Sequence, residues 1–194
     1  MDLLKSSGRG FSFLEDEPLD MRFSLDQEET AADLVNRMRE DELADLIYTY
    51  GEERLSRRIA KHIVYQRKMK RIETTRDLVS VIESAVPGRY RYGRIHPATR
   101  TFQALRIAVN DELGALEESL AKAVDIVEVG GRIAVISFHS LEDRIVKQFF
   151  KKIYTQARGN ILTKKPIVPT TEEIEKNPAS RSAKLRAIEI IGRE

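Results

Sequence analysis

Four groupings of side chains have types and spacings that can do chemistry. Thr99, Gln103, Arg106 and Asn110 recur at steps of four, three and four, which on a helix lines up one polar stripe. Buried amides and a buried guanidinium must find partners, either in the protein's own loops or in a polar ligand such as a base. Arg9-Gly-Phe-Ser-Phe13 sets two aromatic faces beside a cation, the kind of surface on which unpaired RNA bases stack; the same residues also suit a hydrophobic plug that folds the loop down. Ser137-Phe-His-Ser140 lies where an apolar run becomes a helical pattern. His139 and Ser140 are thereby placed at the carboxyl end of a strand, where open α/β sheets bind ligands. The alternative is that Ser140 caps the helix with Asp143 and His139 is a structural histidine. The fourth grouping is charge. Residues 54–71, 89–106 and 144–165 are basic tracts without one acid, and they include Arg57, Arg58, Lys61, Arg89 and Arg91. Phosphate backbones select such tracts, although a single one also suits a solvated helix face.

The overall balance hides this segregation, since 33 Lys and Arg face 31 Asp and Glu for a net charge of +2. Residues 1–50 are acidic, with only five basic residues among them. A 41% apolar share with 33% charged residues over 194 positions describes a helix-rich globular chain with one fair-sized core or two small ones. No apolar run approaches the roughly 20 residues of a membrane span. The start of the chain lacks a secretory signal, and there is no cysteine, which points to the cytoplasm. His62, His96 and His139 lack metal-ligand spacing, so no metal site is expected. No Gly-x-Ser-x-Gly elbow supports a serine nucleophile.

The elements that must position these groups follow from periodicity. Residues 1–24 read as loop, punctuated by Gly8, Gly10 and Pro18. Thr30 and Thr74, each with an Asp three residues on, open helices at about 31–38 and 75–86. Helices are also expected at 41–49 and 52–70, the latter with Leu55, Ile59 and Ile63 inward and its cations outward. One long helix is expected from His96-Pro97 to about Val127, followed by Gly130-Gly131. The unbroken apolar run Ile133–Phe138 suits a strand buried on both faces of a parallel sheet. A helix through about Tyr154 and strands at 161–164 and 183–191 complete the chain. Helix, strand and helix in succession is the unit of an α/β fold. No Gly-rich strand-to-helix turn for a nucleotide is present.

Several stretches together resemble one family. Arg9-Gly-Phe-Ser-Phe13, Pro18-Leu-Asp-Met-Arg22, Tyr50-Gly-Glu-Glu-Arg54, Arg58-Ile-Ala60, His96–Ile107, Asn110-Asp-Glu-Leu113, Gly130-Gly-Arg132, Ile136–Lys147, Asn177-Pro178 and Arg181–Arg186 occur in the order found in the bacterial MraW methyltransferases. The resemblance implies transfer of methyl from S-adenosylmethionine to the N4 amine of a cytidine in the decoding region of 16S rRNA, within the small ribosomal subunit and away from membranes. It also implies a class I, Rossmann-like methyltransferase sheet with an inserted α-helical bundle. On that pattern residues 1–24 form an active-site-type loop, 25–95 the inserted helical domain and 96–194 the C-terminal part of the α/β domain.

In the family the glycine-rich cofactor loop and the ribose-binding acid precede the Arg-Gly-Phe-Ser-Phe stretch, and only eight residues precede it here. None of the cofactor-binding positions is therefore expected in this chain, which reads as the C-terminal part of such an enzyme. By the same resemblance Asp20, Arg22, His139 and Ser140 are pocket candidates with no catalytic residue assigned. Arg9, Phe11, Phe13, His96, Arg100, Gln103, Arg106 and Asn110 are expected to bind substrate, and Arg57, Arg58, Lys61, Arg89 and Arg91 RNA phosphates. A homodimer, or a separate chain supplying the other half, stays open as the assembly. The alternative function is a non-catalytic RNA- or ribosome-binding fragment.

Overall fold

In a computed structural model, which describes residues 8–192, the chain forms two compact units. The first extends to Glu112 and the second begins at Leu113. The first seven residues of the expected 1–24 loop, and residues 193–194, lie outside the described residues.

The first unit is helical: α1 (Ala31–Arg37), α2 (Glu40–Gly51), α3 (Ser56–Arg67), α4 (Thr75–Ala85), the single turn α5 (Gly88–Arg91) and α6 (Thr99–Asn110). Two helices start at the expected caps. The Thr30 hydroxyl accepts the Asp33 amide while the Asp33 carboxylate accepts the Thr30 amide, and Thr74 accepts the Asp77 amide. Each cap satisfies donors that a first turn leaves without partners. Leu34, Val35, Leu43, Ile47, Ile59, Ile63, Leu78, Ile82 and Leu105 fill the core. Arg57, Arg58 and Lys61 stay on the exposed side of α3, as its period predicts. Where α2 ends against α6, a Cβ on Gly51 would stand 2.5 Å from the Arg100 carbonyl oxygen, so the two backbones meet through a residue without a side chain.

Residues 8–24 contain no helix or strand, but they are not loosely held. Leu19 and Met21 are buried in the core, and Leu19 N–H donates to the Glu73 carbonyl at 2.9 Å. Thr75 N–H donates to the Glu17 carbonyl at 2.9 Å, and Ala31 N–H to the Asp20 carbonyl at 2.8 Å.

The single helix expected at 96–127 is two. Asp111 takes φ +45° in the left-handed region and ends α6, and α7 (Glu112–Ile126) starts afresh. Asp is one of the few residues that tolerate this conformation. Glu112 then folds back to take a bidentate bond from Arg106, at 2.7 and 2.9 Å.

The second unit contains most of α7, β1 (Arg132–Ser137), α8 (Ser140–Thr155), β2 (Gly159–Ile161), α9 (Thr171–Lys176), a short 3-10 turn at Pro178–Ser182 and β3 (Lys184–Ile190). Its sheet has three strands in the order β1-β3-β2, with β3 antiparallel to both neighbours and Ile133 opposite Ile188. The expectation of a strand buried on both faces of a parallel sheet is thus corrected. Ile133 and Ser137 point inward while Ile136 is 56% exposed, so the apolar run faces a core on one side only. Val146, Phe150 and Ile153 of α8 close that core with Leu120, Val124, Ile188 and Ile190. Among the described residues no helix is long and apolar enough to cross a membrane.

Candidate functional site

The expected polar stripe of α6 is spent mainly on the protein itself. The Gln103 amide donates to the Tyr50 carbonyl at 2.9 Å and Arg106 is paired with Glu112. Asn110 receives the Phe23 amide on Oδ1 at 2.7 Å and donates from Nδ2 to the Met21 carbonyl at 2.8 Å. Helix α6 therefore sets the shape of the 8–24 loop. Gln27 adds a bond from its Nε2 to the Val109 carbonyl, 2.9 Å.

What the loop presents follows from these ties. Phe11 stacks on Phe23 with ring centroids 5.5 Å apart, and the Arg9 guanidinium lies 5.7 Å from the Phe11 centroid while bonding the Phe23 carbonyl. Phe13 stacks on His96 at 4.7 Å and meets the edge of Phe102 at 5.2 Å. Phe13 thus acts as the plug, whereas Phe23, half exposed and not among the expected site residues, keeps an aromatic surface open. Gly10, at φ +74°, passes within 2.4 Å (Cβ position) of the Pro18 carbonyl oxygen, and its amide donates to Glu17 Oε2 at 2.7 Å. No side chain fits there.

Asp20 and Arg22 form a bidentate pair, 2.8 Å at both contacts, and Arg22 also donates to the Gln27 carbonyl at 2.6 Å. The hydrogen bonds from Arg22 hold the Asp20 carboxyl below its ordinary range despite partial burial. So engaged, Asp20 is a weak proton acceptor. Met21 between them sits at φ +63°, a conformation a long side chain adopts at a cost of roughly 1–3 kcal/mol, and such strain concentrates at functional sites.

A cavity of about 400 Å³ in the same unit is lined by Glu53, Arg89, Tyr90, Gly93, Arg94, Ile95, His96 and Arg100. Its hub is Glu53, which is 0% exposed. Glu53 accepts the Tyr90 hydroxyl at 2.7 Å and the Leu55 amide at 2.8 Å, with the Arg100 guanidinium 3.8 Å away. Burial, then the bond to Glu53, raises the Tyr90 pKa, so its hydroxyl stays a donor. Three arginines around one satisfied carboxyl leave the cavity electropositive. Glu53 and Tyr90 were not among the expected site residues, although both lie in stretches that stand out in the sequence, Tyr50-Gly-Glu-Glu-Arg54 and Arg89-Tyr-Arg-Tyr-Gly-Arg94.

The basic tracts are unequal. Arg57 pairs with Asp45 at 2.6 Å, Lys70 with Asp77 at 2.9 Å, and Arg67 donates to the Val35 carbonyl. Arg58, Lys61, Arg89 and Arg91 are exposed and carry no ion pair among the described residues.

In the second unit the β1–α8 turn corrects one expectation: the N-cap is His139, not Ser140. His139 Nδ1 accepts the Glu142 amide at 3.3 Å, and Glu142 Oε2 accepts the amides of Phe138 and His139 at 2.7 and 3.2 Å. Burial raises the Glu142 pKa, but the His139 and Phe138 bonds outweigh it and the net shift is downward. Asp143, expected to assist the cap, instead takes the buried Arg186 at 2.7 Å.

The sequence matches the model of the MraW methylase family over residues 1–191. It is 57% identical over 178 residues to "Ribosomal RNA small subunit methyltransferase H" of Persephonella marina, covering 92% of this chain and 61% of that protein. A relative of the same name in Synechococcus elongatus is 58% identical over 186 residues, 96% of this chain and 61% of its own. The relative in Coprothermobacter proteolyticus is 56% identical over 181 residues, 93% of this chain and 60% of its own. The chain spans about three fifths of the length of the curated relatives it matches, 60–61% in these cases.

Proposed function

Since the chain belongs to the MraW methylase family, we propose that it forms the RNA-facing part of an S-adenosylmethionine-dependent enzyme that methylates the N4 amine of a cytidine in the decoding region of 16S rRNA. The family match over residues 1–191 carries this reading. The substrate would be the small ribosomal subunit in the cytoplasm, and the sheet of the second unit would be the end of a class I methyltransferase sheet.

S-adenosylmethionine supplies an electrophilic methyl when bound. The described residues do not fit it. The one strand that runs directly into a helix among them is β1, and its turn is closed by His139 and Glu142. Nucleotide-type cofactors are held by open amides at a Gly-rich turn. An acid occupies this one. The described residues therefore offer S-adenosylmethionine no such cradle.

What the chain's own residues contribute is positioning. The N4 lone pair of cytosine is delocalised into the ring, so reaction needs the amine held in line with its methyl donor. The half-exposed Phe23, backed by Phe11 and Arg9, offers a flipped base a stacking face. Asn110 and the Asp20–Arg22 pair hold that face in place. Asp20, committed to Arg22, is assigned to positioning and not to proton transfer. Arg89, Arg94 and Arg100, which line one cavity, would meet phosphates of the flanking strand. Within this scheme His96 and Arg100 act at the cavity, Gln103 and Arg106 brace the helix, and His139 and Ser140 shape the β1–α8 turn.

A second reading, a non-catalytic RNA- or ribosome-binding chain, is favoured by that same closed turn. A footprint of the chain on small-subunit particles tests the enzyme reading. Protection centred on the decoding region supports the enzyme reading, and protection confined elsewhere refutes it.

A further inference from the structure

The second unit carries a cavity of about 320 Å³ lined by Lys147, Phe150, Lys151, Tyr154, Ile161, Thr163, Lys164 and Arg186. This is the small end of the roughly 300–1,000 Å³ typical of sites for compact ligands. Three features define what it can take. Its floor is apolar: Phe150 is buried, and Ile161 packs against the same core. Its wall is aromatic, with Tyr154 56% exposed. Its rim is cationic. Lys147, Lys151 and Tyr154 are spaced by four and three residues and share one face of α8, while Lys164 comes from the segment after β2.

The charge at this rim is not spent internally. The ammonium groups of Lys147, Lys151 and Lys164 have no ion pair or hydrogen bond among the described residues. Arg186, the fourth cation, is neutralised by Asp143 at 2.7 and 3.2 Å. No acid lines the cavity, and none occurs anywhere in residues 144–165. Three ammoniums without counter-charge repel one another and favour an anionic guest. An exposed aromatic ring over an apolar floor favours a flat one.

We propose that this cavity binds one unpaired nucleotide of RNA, its base against Tyr154 and Phe150 and its flanking phosphates on Lys147, Lys151 and Lys164. Lysines act as point charges that follow a backbone, and an aromatic wall takes any base, so the site selects single strand over sequence. A duplex offers no base to the cavity. The site rests on the reading of the chain as RNA-acting, but it is a separate contact from the Phe11–Phe23 face.

The test uses the 194-residue chain and a fluorescein-labelled ten-nucleotide oligouridylate, with anisotropy read from 50 to 250 mM KCl. The double variant Lys151→Gln, Lys164→Gln is expected to lower the salt slope by about 1.4, from roughly 0.7 per phosphate contact on a single strand. Tyr154→Leu is expected to weaken binding about 5- to 150-fold with the slope unchanged, the worth of one stacked base. All three side chains are exposed, so folding is not at stake. Unchanged binding in both variants, with the unmodified chain binding well, overturns the cavity and leaves the RNA reading standing. No binding by the unmodified chain overturns both.

Discussion

Asn110 accepts the backbone N–H of Phe23 on its Oδ1 at 2.7 Å, a bond that spans 87 positions of sequence. The same amide donates to the Met21 and Arg106 carbonyls, at 2.8 and 2.9 Å. One side chain thus joins helix α6 to the segment that bears the exposed aromatic face. Asn110→Ala leaves partly buried backbone groups without partners, which costs about 1–3 kcal/mol. Urea unfolding should show that loss, and affinity for unpaired RNA should fall with it. Unchanged stability would mean that the loop holds its shape without α6.

Gly51 marks the closest approach of α2 and α6. Gly51→Ala puts a methyl 2.5 Å from the Arg100 carbonyl oxygen, so one backbone must yield, at a cost typically about 1–3 kcal/mol. Gly88→Ala, where nothing lies within 4 Å, is the control and should stay within about 0.5–1 kcal/mol of the parent. Thermal melts of the two variants make the comparison; equal melting temperatures would contradict the packing described.

Acid should weaken the first unit through Asp20. The bonds from Arg22 depress its folded-state pKa, so the pair's contribution is present above the unfolded value of about 3.9 and is lost as pH falls below it. Asp20→Asn removes this linkage. The variant should be less stable at pH 7 and should lose less stability between about pH 5 and pH 2 than the parent. Parallel stability curves for the two proteins would count against the pair.

On α3 the replacement of Arg57, Arg58 and Lys61 by Gln should lower the salt slope of RNA binding by up to about 2 if all three meet phosphates. Arg57 must first exchange Asp45 for a phosphate, and both side chains are well exposed, which makes that exchange cheap. A slope that does not move would make this face plain solvated surface.

Much of the fold was legible where local chemistry decides it. Thr30 and Thr74 cap their helices because a hydroxyl three residues before an Asp answers a need internal to one turn. Ile59 and Ile63 face inward because their spacing leaves no other choice. What stayed hidden depends on groups distant in sequence. The antiparallel pairing of β1 is set by β3, some fifty residues later, and an apolar run carries no sign of strand direction. The break at Asp111 depends on a conformation that Asp tolerates but does not demand, supported by the Arg106–Glu112 pair. His139 displaced Ser140 as cap because Glu142, not Asp143, stands three residues on from the residue whose backbone is extended. Asp143 was drawn to Arg186, 43 positions away. Of the candidate site, Arg9, Phe11 and Asn110 stand out by type and spacing, although Asn110, expected to meet substrate, bonds the loop backbone instead. Glu53 and Tyr90 could not be paired before the fold brought them to 2.7 Å.

The most direct measurement is the incorporation of labelled methyl from S-adenosylmethionine into small-subunit particles, with the modified nucleoside identified by mass spectrometry. Two proteins are compared: the 194-residue chain, and the same residues joined to the part of the Persephonella marina relative that they do not cover, a relative with which the chain is 57% identical over 178 residues. The expected result is methyl on the N4 amine of one decoding-region cytidine with the fusion and none with the chain alone. Turnover by the chain alone, or methyl on any other atom, would contradict it.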